Sequence, residues 1–600
     1  MKMHLWCLIK MKRLVFDVET DGLSYTKIWC IVAQDIETKV IYTYGPDQLE
    51  EGYRLLSSAD SLVGHNIIGF DIPAIRKVLH KPEFAKSVEV LDTLVLSRLF
   101  NPVRASGHRL ANWGDVLGFP KIEFQDFYNY SGEMLDYCVR DVELNTAVFH
   151  ELRKEARGFS KDAIRLEHEV ARLVKKQEDK GFYFNIRDAD ILFSEIKEKM
   201  VDAENQVKKV FLPKIIEKKL YPRYNKSGDI AKTAEDEDGK GVRLTDEEYK
   251  LFFEKEHSVP LHIVRKTSIE LLISSRKQIG EYLQSFGWEP KEYTPNGRPV
   301  VNEKTLAAIT DIPEAKVIND YFLLEKRKGQ LSQWLEAVEE RDDSRIHGYI
   351  NSNGARTGRM THSHPNQAQL PSTRKRYGKE FRALWCVPPG YRLVGVDASG
   401  LELRMLAHYM GDKGYINEII SGDIHTTNQK LAGLQSRDQA KTFIYALLYA
   451  AGDERLGSVV GGSKKTGSIL RKSFLDNLPS FRTLKNDVSR AVAKNQCLKG
   501  LDGRKLQIVS EHSALNTLLQ GAGAIVMKQA LIILDEKLKD LDATVVGNVH
   551  DEWQIEAHSS CAEEAGQLGV QSIIEAGKYF KMRCPLDGEY KIGRNWSETH

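Results

Sequence analysis

The stretch TVVGNVHDEWQIEA, residues 544–557, constrains the fold more than any other part of the sequence. Two apolar runs of strand length flank His550, Asp551 and Glu552, a spacing typical of a β-hairpin with its turn at these residues. Turn geometry does not require acids, and crowded carboxylates are costly unless a partner compensates their charge. The hairpin tip therefore either faces water or holds a cation, and acids on other strands decide between the two.

The chain is long enough for several folded domains. Its length of 600 residues exceeds what one hydrophobic core usually supports. The composition, 42% hydrophobic and 28% charged, is that of folded domains. The 7 cysteines are scattered and contain no CxxC pair, so neither a disulfide framework nor a zinc site is indicated, and a reducing, cytoplasmic compartment fits best. The opening MKMHLWCLIK is too short for a secretory signal, Met11 is an alternative start, and no other segment reaches membrane-spanning length, so no membrane partner is expected.

The net charge of +2 is unevenly distributed along the chain. Residues 11–150 contain 14 Lys and Arg against 20 Asp and Glu, whereas residues 151–600 contain 70 against 64, which indicates two modules with different functions. The densest basic patch, STRKRYGKEFR, contains Arg374, Lys375 and Arg376. Such a patch suits a nucleic-acid backbone, although taken alone it is more often a solvated surface.

The order of predicted elements indicates an α/β multidomain protein. The strands RLVFDVET, IWCIVAQDI and KVIYTYG, followed by helical stretches, predict an α/β module over residues 13–150. Helices are predicted through 151–215, in TSIELLISSRKQIGEYLQSFGW and in YFLLEKRKGQLSQWLEAVEE, whereas the polar residues 222–248 predict an exposed or partly ordered loop. Strands at 392–397 and 544–556 flank mostly helical sequence, and these two strands should meet in space.

Four carboxylates and a phenol in the first module have spacings suited to a metal site. Asp17 and Glu19 lie two residues apart on a predicted strand, so their carboxylates leave the same face. Asp71 follows an apolar run, and Tyr137 and Asp141 are neighbours on one helix face. Any one of them alone is better explained as a capping or surface residue, but the whole set in this order favours divalent cations on oxygen ligands.

A second group of motifs lies in the later part of the chain. Asp397 ends an apolar strand in VGVDASGLELRMLAHY, so a second strand end carries an acid. This second acid favours a cation at the hairpin tip over a tip that only faces water. RDQAKTFIYALLYAAG places Arg437, Lys441 and Tyr445 on one helical face at i, i+4 and i+8. In contrast, VVGGSKKTGS lacks the GxxxxGK[ST] spacing of a phosphate loop, and ATP hydrolysis is not predicted.

The motifs of the first module resemble those of the proofreading 3′→5′ exonuclease domain of DNA polymerases. The order DxE, NxxxFD and YxxxD, with LDTLVLSRL and GHRLANWGDVLG between them, covers about residues 13–150. The resemblance implies that four carboxylates hold two divalent ions and that a phenol orients the attacking water. These residues are Asp17, Glu19, Asp71, Asp141 and Tyr137.

The later motifs, together with VHDEW, resemble the three motifs of family A DNA polymerases, close to the replicative enzymes of short-tailed bacteriophages. The likeness continues through GDIHTTNQ, KGLDGRK, ALNTLLQGAGA and GRNW and covers nearly the whole chain. It implies an RNase H-like exonuclease domain followed by a right-hand polymerase of palm, fingers and thumb. The expected limits are 11–155 for the exonuclease, 156–345 for linker helices and thumb, 346–425 and 516–600 for the two parts of the palm, and 426–515 for the fingers.

The resemblance also implies roles for single residues. Asp397 and Asp551 would share two Mg²⁺ ions, with Mn²⁺ as an alternative, and Glu552 would support them. Glu402 would exclude a ribose hydroxyl. Contacts with the incoming nucleotide would come from His425, Arg437, Lys441, Tyr445 and Tyr449. The minor groove and the primer end would be read by Arg359, Asn516, Gln520 and His550.

The function implied is template-directed DNA synthesis from dNTPs on a primer, with 3′→5′ proofreading in a replicative role. Expected partners are primer-template DNA, dNTPs, a replicative helicase or primase and single-strand-binding protein, in the host cytoplasm if a phage encodes the chain. Two departures from the phage pattern stand out. Ala450 replaces a glycine of LYGAG, and the short stretch 222–248 puts a thioredoxin-type processivity factor in doubt.

Two other functions are weaker alternatives. A single-subunit RNA polymerase would not carry the exonuclease acids, and Glu402, five residues after Asp397, suits the exclusion of ribose. A non-enzymatic DNA-binding or packaging protein would explain the basic patch but has no use for acids in both modules. Magnesium-dependent primer extension separates these alternatives from a DNA polymerase.

Overall fold

The computed structural model describes residues 11–254 and 262–600, so the predictions for the opening run MKMHLWCLIK lie outside the described residues. The chain forms two compact units. The first contains residues 11–185 and 337–600, and the second contains Ile186–Glu336. Each unit is described by itself below.

The first unit begins with a five-stranded sheet of order β3-β2-β1-β4-β5. Its strands are β1 (Arg13–Thr20), β2 (Ile28–Asp35), β3 (Ile41–Tyr44), β4 (Ser61–Gly64) and β5 (Glu89–Asp92). Its helices are α1 (Leu49–Ser57), α2 (Asp71–Val78), α3 (Thr93–Phe100), α4 (Leu110–Leu117) and α5 (Gly132–Glu155). The central strand β1 is buried on both faces, with Val15 in one apolar cluster and Phe16 in another. The predicted α/β module and its first three strands are confirmed.

Two further elements complete the amino-terminal part of the first unit. They are helix α6 (Lys161–Lys180) and the short strand β6 (Phe182–Tyr183). Helix α6 begins at the N-cap Ser160, whose side chain accepts a hydrogen bond from the Ala163 amide. The fully buried Glu167 of α6 lies 2.6 Å from Lys528 Nζ and 2.6 Å from Arg504 Nη1, so buried ion pairs join α6 to the later part of the same unit.

The second unit corrects two sequence predictions. Its elements are α7 (Ile186–Val210), β7 (Lys214–Tyr224), β8 (Ile230–Asp236), β9 (Gly241–Arg243), α8 (Asp246–Glu254), β10 (Ile263–Ile269), α9 (Arg276–Ser285), α10 (Glu303–Ala307) and α11 (Pro313–Glu339). The loop predicted at 222–248 is wrong, because this segment contributes to a four-stranded antiparallel sheet of order β10-β7-β8-β9. Its sparse apolar residues, Ile230, Ala234 and Leu244, pack with Leu220 and Ile263 in one core.

The second correction concerns the helix predicted from TSIELLISSRKQIGEYLQSFGW. Its first residues belong to β10, which pairs with β7 over the register Ile263↔Leu220 to Ile269↔Lys214, and the helix begins only at Arg276. Strand pairing outweighed the local helical pattern of this short segment. The predicted helices in 151–215 and in YFLLEKRKGQLSQWLEAVEE are confirmed by α6, α7 and α11.

The first unit resumes with a second, four-stranded sheet of order β17-β18-β14-β19. The strands of this part are β11 (Arg345–Ile346), β12 (Tyr349–Asn351), β13 (Thr361–Ser363), β14 (Tyr391–Ala398), β15 (Cys497–Lys499), β16 (Lys505–Gln507), β17 (Ala543–Val549), β18 (Glu552–His558) and β19 (Gly588–Gly593). Because β14 pairs directly with β18, the predicted meeting of the strands at 392–397 and 544–556 is confirmed.

Eleven helices belong to this part of the first unit. They are α12 (Gly378–Ala383), α13 (Leu401–Met410), α14 (Lys413–Ile420), α15 (Ile424–Ala432), α16 (Arg437–Leu448), α17 (Asp453–Ser458), α18 (Lys464–Asn477), α19 (Pro479–Asn495), α20 (Ala514–Lys537), α21 (Ala562–Tyr579) and α22 (Trp596–Thr599). A single large apolar cluster runs from Val394 of β14 through Phe443 of α16 to Val526 of α20.

Helix α20 corrects the prediction that no segment reaches membrane-spanning length. Residues Glu511–Lys537 form a helical segment that is long and apolar enough to cross a membrane, but 72% of its most apolar stretch is buried inside the protein. Helix α20 is therefore a core helix, and its apolar sequence reflects packing on all sides.

Candidate active sites

The predicted hairpin at residues 544–557 is formed by β17 and β18, which are joined by His550 and Asp551 alone. His550 adopts φ +60°, in the left-handed region that a tight two-residue turn requires. In the adjacent strand Asp397 is paired with Glu552, and the Ala398 amide donates a hydrogen bond to the Asp551 carbonyl at 3.0 Å. The fold therefore brings Asp397 and Asp551 together, and we call them the C-terminal acid pair.

Burial and mutual repulsion disfavour the charged forms of this pair. Burial, followed by the charges of Asp551 and Glu552, raises the pKa of Asp397 to about 7. Burial also raises the pKa of Asp551. Two carboxylates held side by side in this way are stabilised by a shared cation, and their oxygen donors suit a hard divalent ion.

Glu552 differs from its two neighbours because its carboxylate is already satisfied. Oε1 accepts hydrogen bonds from Trp596 Nε1 and Gln554 Nε2, both at 2.5 Å, and Oε2 lies 2.7 Å from His600 Nδ1. Although burial alone would raise the pKa of Glu552, these contacts hold it below its usual value. Glu552 therefore anchors the end of the sheet, and its predicted support of the metal ions stays a prediction.

One face of α16 carries the three residues predicted to share it. The helix begins with a capping box between Ser436 and Gln439, which places Arg437 in the first turn. Arg437 and Lys441 are exposed, and the charges of both lower the pKa of His425 of α15, after burial. The rings of His425 and Tyr445 lie 6.4 Å apart. The predicted face is confirmed, and it presents two cations and an aromatic ring.

Glu402 lies in the first turn of α13, after Gly400 with φ +58°, so the chain turns from strand β14 into a helix just before it. Its Oε1 accepts a hydrogen bond from the Tyr449 hydroxyl and another from Arg359 Nη2 at 3.1 Å. The structure thus joins Glu402 to Tyr449 directly. Burial, followed by the charges of Glu402, Asp551 and Asp397, raises the pKa of Tyr445. Of the two tyrosines considered, Tyr449 is the one that holds Glu402.

The acids of the first module also meet. Asp17 and Glu19 project from the same face of β1 towards Cys138 of α5, and one ligand atom from each of these three side chains lies within 4.8 Å of the other two. Asp71 begins α2, and its Oδ1 accepts a hydrogen bond from the Val18 amide at 3.0 Å. Asp141 lies one turn beyond Tyr137 on α5. We call Asp17, Glu19, Asp71 and Asp141 the N-terminal acid cluster.

The N-terminal acid cluster is strongly perturbed. Burial, followed by the charge of Asp141, raises the pKa of Asp17 to about 7. Burial, followed by the charge of Asp17, raises the pKa of Glu19 to about 10. The pKa values of Asp71 and Asp141 are also raised, chiefly by burial. Asp141 Oδ1 is buried without a hydrogen-bond partner, which fits a site that accepts a cation.

Comparisons with known proteins agree with this geometry. Residues 248–598 match the family model described as DNA polymerase family A. The chain is 33% identical to the DNA-directed DNA polymerase of Escherichia phage T7, over 98% of this chain and 100% of that protein. The chain belongs to DNA polymerase family A. This family A member is also 32% identical to the DNA-directed DNA polymerase of Enterobacteria phage T3, over 98% of this chain and 100% of that protein.

A solved structure supports the same fold. It is described as the POL domain of Pol1 from M. smegmatis in complex with DNA primer-template and dNTP, and it aligns with a TM-score of 0.75 and 17% identity. The alignment covers 98% of this chain and 96% of that chain. Membership of family A makes this protein a DNA-directed DNA polymerase that requires divalent metal ions.

The residues predicted to contact DNA occupy several places in this family A polymerase. Arg359, His550 and Asp551 line one cavity. Asn516 and Gln520 share a face of α20, one turn apart, and both are partly exposed. The basic residues of the segment before α12 are exposed, and they are Arg374, Lys375 and Arg376.

Sequence reasoning missed two side chains in the N-terminal acid cluster. Lys121 contacts Asp141 and Tyr137, and Cys138 Sγ lies 3.7 Å from Asp17 Oδ2. Lys121 lies in an irregular segment, where no periodicity predicts its direction. Cys138 follows Tyr137 directly and is completely buried, so its position on the helix pattern was the available signal.

Proposed function

We propose that this family A polymerase extends a DNA primer along a template from dNTPs at the C-terminal acid pair, and removes nucleotides from mispaired 3′ ends at the N-terminal acid cluster. The observation that carries the first activity is the meeting of Asp397 and Asp551 at adjacent strand ends, near Tyr445 of α16. The observation that carries the second is the convergence of four carboxylates from β1, α2 and α5.

The chemistry at the C-terminal acid pair follows from its donors. Asp397 and Asp551 would hold two Mg²⁺ ions, and Mn²⁺ offers the same oxygen preference. When bound, such ions lower the pKa of the primer 3′-hydroxyl and stabilise the pyrophosphate that leaves. Arg437 and Lys441 bind the phosphates of the nucleotide, and His425 adds a contact beside Tyr445, which stacks on the base.

Selection of the nucleotide depends on contacts that every correct base pair can make. Arg359, Asn516, Gln520 and His550 supply donors for the minor-groove acceptors shared by all four pairs. Glu402, held by the Tyr449 hydroxyl, occupies the space that a ribose 2′-OH requires. Deoxyribose enters without displacing that hydrogen bond, so DNA is favoured over RNA.

The N-terminal acid cluster supplies the proofreading reaction. Asp17, Glu19, Asp71 and Asp141 would hold two divalent ions, which generate hydroxide and stabilise the leaving oxygen of a phosphodiester when bound. Tyr137 orients the attacking water. The unpartnered Asp141 Oδ1 and the raised pKa values of the cluster both fit a group of acids that requires cations.

Primer extension tests the first activity. A 5′-labelled primer on a long template should be extended by dNTPs with Mg²⁺ and not with EDTA. Labelled primer carrying a 3′ mismatch and no dNTPs should be shortened in the same buffer. Extension without shortening would leave the polymerase and remove the exonuclease from the proposal, and failure of both would reject the proposal.

The basic residues Arg374, Lys375 and Arg376 are proposed to bind the phosphate backbone of duplex DNA. Replacing all three by glutamine should flatten the slope of log affinity against log salt by about two to three units. Replacing the exposed Lys464, Lys465 and Lys472 of α18 provides a charge-matched control. An equal change in both triple variants would show a general charge effect and no specific contact.

The replicative role, the helicase, primase and single-strand-binding partners, and the domain limits stated above belong to this proposal. The short stretch 222–248 contributes β8 and β9 to an antiparallel sheet, and a thioredoxin-type factor is not part of the proposal. Extension of a long single-stranded template with and without added thioredoxin tests that point, because stimulation of product length would require the factor to be included.

A further inference from the structure

The N-terminal acid cluster contains a lysine for which the proposed reaction has no role. Lys121 lies in the segment between α4 and α5, with Nζ 2.5 Å from Asp141 Oδ2, and it donates a hydrogen bond to the Tyr137 hydroxyl at 2.8 Å. The side chain of Lys121 is only 22% exposed, and that of Asp141 is 6% exposed. The ammonium group is therefore held inside the cluster and does not extend into solvent.

The cluster has two sides with different occupants. Ligand atoms of Asp17, Glu19 and Cys138 lie within 4.8 Å of one another, and Lys121 pairs with Asp141 outside that group. On the other side, Asp141 Oδ2 is paired with Lys121, while Oδ1 has no hydrogen-bond partner. One side thus remains open to a cation, whereas the other already holds one.

An ammonium and a divalent ion compete for the same carboxylate oxygen. Divalent ions bind carboxylate oxygens at about 2.0–2.6 Å. The Lys121 ammonium occupies that shell of Asp141 Oδ2, at 2.5 Å. Two cations within a few ångströms repel strongly where water is largely excluded. Lys121 and a divalent ion therefore compete for Asp141 Oδ2.

We propose that Lys121 is a displaceable internal cation: a first divalent ion binds at Asp17 and Glu19, and a second ion at Asp141 has to compete with Lys121 for Oδ2 of that carboxylate. Lys121 acts through Asp141 and is a positioning residue. The inference rests on the proposed exonuclease function and concerns how that site is activated. Because the second ion has to compete with an ion pair, half-maximal hydrolysis of 3′ ends requires a higher concentration of the ion.

Binding of Mn²⁺ without DNA tests the competition directly, with free Mn²⁺ followed by electron paramagnetic resonance. The parent protein carries Asp397→Asn and Asp551→Asn, so that the C-terminal acid pair does not contribute. In this parent, Lys121→Met should tighten the second Mn²⁺ site at least about tenfold while changing the first much less. Lys121→Arg retains the charge and should keep the second site weak.

The matched control is Lys154→Met, also in the amino-terminal module. Lys154 lies on α5 with Asp141, but it pairs with Glu151 at 2.6 Å on the surface, where its side chain is 68% exposed. This variant should bind Mn²⁺ as the parent does. Lys121→Gln provides a second neutral variant. Each substitution is also made in the chain that keeps Asp397 and Asp551, where primer extension shows that the protein is folded.

Two results would overturn the inference. Equal affinity of the second site in Lys121→Met, Lys121→Gln and the parent would show that Lys121 does not compete, and weaker binding would show that it assists. A second measurement is the Mg²⁺ concentration for half-maximal 3′→5′ degradation, which should fall in Lys121→Met. If the unsubstituted chain degrades 3′ ends but Mn²⁺ affinity is unchanged, only this inference fails; if it degrades none, the proposed function fails first.

Discussion

Asp17 and Glu19 lie on a central strand with apolar clusters on both of its faces, whereas Asp397 and Asp551 lie at strand ends near the exposed face of α16. At the N-terminal acid cluster burial raises the pKa of Glu19 to about 10, and at the C-terminal acid pair it raises the pKa of Asp397 to about 7. The N-terminal acid cluster is in contact with an ammonium group, that of Lys121. Near the C-terminal acid pair, by contrast, Arg359 pairs with Glu402.

This difference teaches how one kind of ligand can serve two tasks. In the proposed scheme, a buried cluster that is partly neutralised by Lys121 is completed by incoming ions. An acid pair at the open end of a sheet is available to a nucleotide that brings its own phosphates and cations. The experiments below test whether the two groups of acids are independent and how far their surroundings differ.

The largest expected effect separates the two groups. Asp397→Ala or Asp551→Ala should lower primer extension by about 10²–10³-fold, the range typical for removing one group that stabilises transition-state charge. Shortening of a mismatched primer should continue. The double substitution Asp17→Ala and Glu19→Ala should have the reverse effect. Both activities are measured on the same labelled primer, and loss of both in either folded variant would contradict the two-site scheme.

The next effect concerns sugar selection at the C-terminal acid pair alone. Glu402→Ala removes the acceptor of the Tyr449 hydroxyl and should raise incorporation of ribonucleotides relative to deoxyribonucleotides by at least about tenfold, equivalent to about 1.4 kcal/mol. The measurement is kcat/KM for both sugars. Tyr449→Phe, which removes the same hydrogen bond and keeps the ring, should give a similar shift; an unchanged ratio in both variants would exclude Glu402 as the gate.

A third prediction compares the stability of the metal-free protein at two acids. The folded pKa of Glu19, about 10, lies above its usual 4.5, so the native state binds more protons between these values and the free energy of unfolding falls as pH rises through this window. For Asp397 the same loss occurs only between 3.8 and about 7. At pH 8 in EDTA, Glu19→Gln and Asp397→Asn should therefore each stabilise the protein by about 1–3 kcal/mol.

Thermal unfolding in EDTA at pH 4 and pH 8 measures the stabilisation by each substitution. At pH 4 the stabilisation by Glu19→Gln should nearly disappear, because the carboxyl group is largely protonated in both states. In excess Mg²⁺ at pH 8 the unsubstituted protein should be more stable than the Glu19→Gln variant, since the unsubstituted acids then bind ions. Equal stabilisation at both pH values would show that packing, and not titration, is responsible.

The smallest effect is expected near the nucleotide face. Ala450 follows α16 with φ +56°, a left-handed conformation that favours glycine, and its carbonyl accepts a hydrogen bond from His512 at 2.7 Å. Ala450→Gly should raise the free energy of unfolding by up to about 1 kcal/mol. Ala446→Gly, inside α16, should lower it by about 0.5–1 kcal/mol. Urea unfolding measures both, and a loss in each would contradict the strain at Ala450.

Much of both candidate sites could be predicted from sequence, because the relevant spacings are local. Residues two apart on a strand share a face, as Asp17 and Glu19 do, and residues at i and i+4 share a helix face, as Arg437 and Lys441 do. The two apolar runs around His550 and Asp551 likewise determined the hairpin. Acids that no local rule explains then indicated metal sites in both modules.

Tertiary structure alone decided what surrounds those residues. The contact of Lys121 with Asp141, the hydrogen bonds that satisfy Glu552, and the pairing of β7 with β10 all join segments that no sequence period connects. Their physical reason is the same: each depends on long-range packing that offsets the cost of burying polar groups or pairing distant strands. The sequence therefore determined which acids are candidates for the two sites, and the fold decided what surrounds each of them.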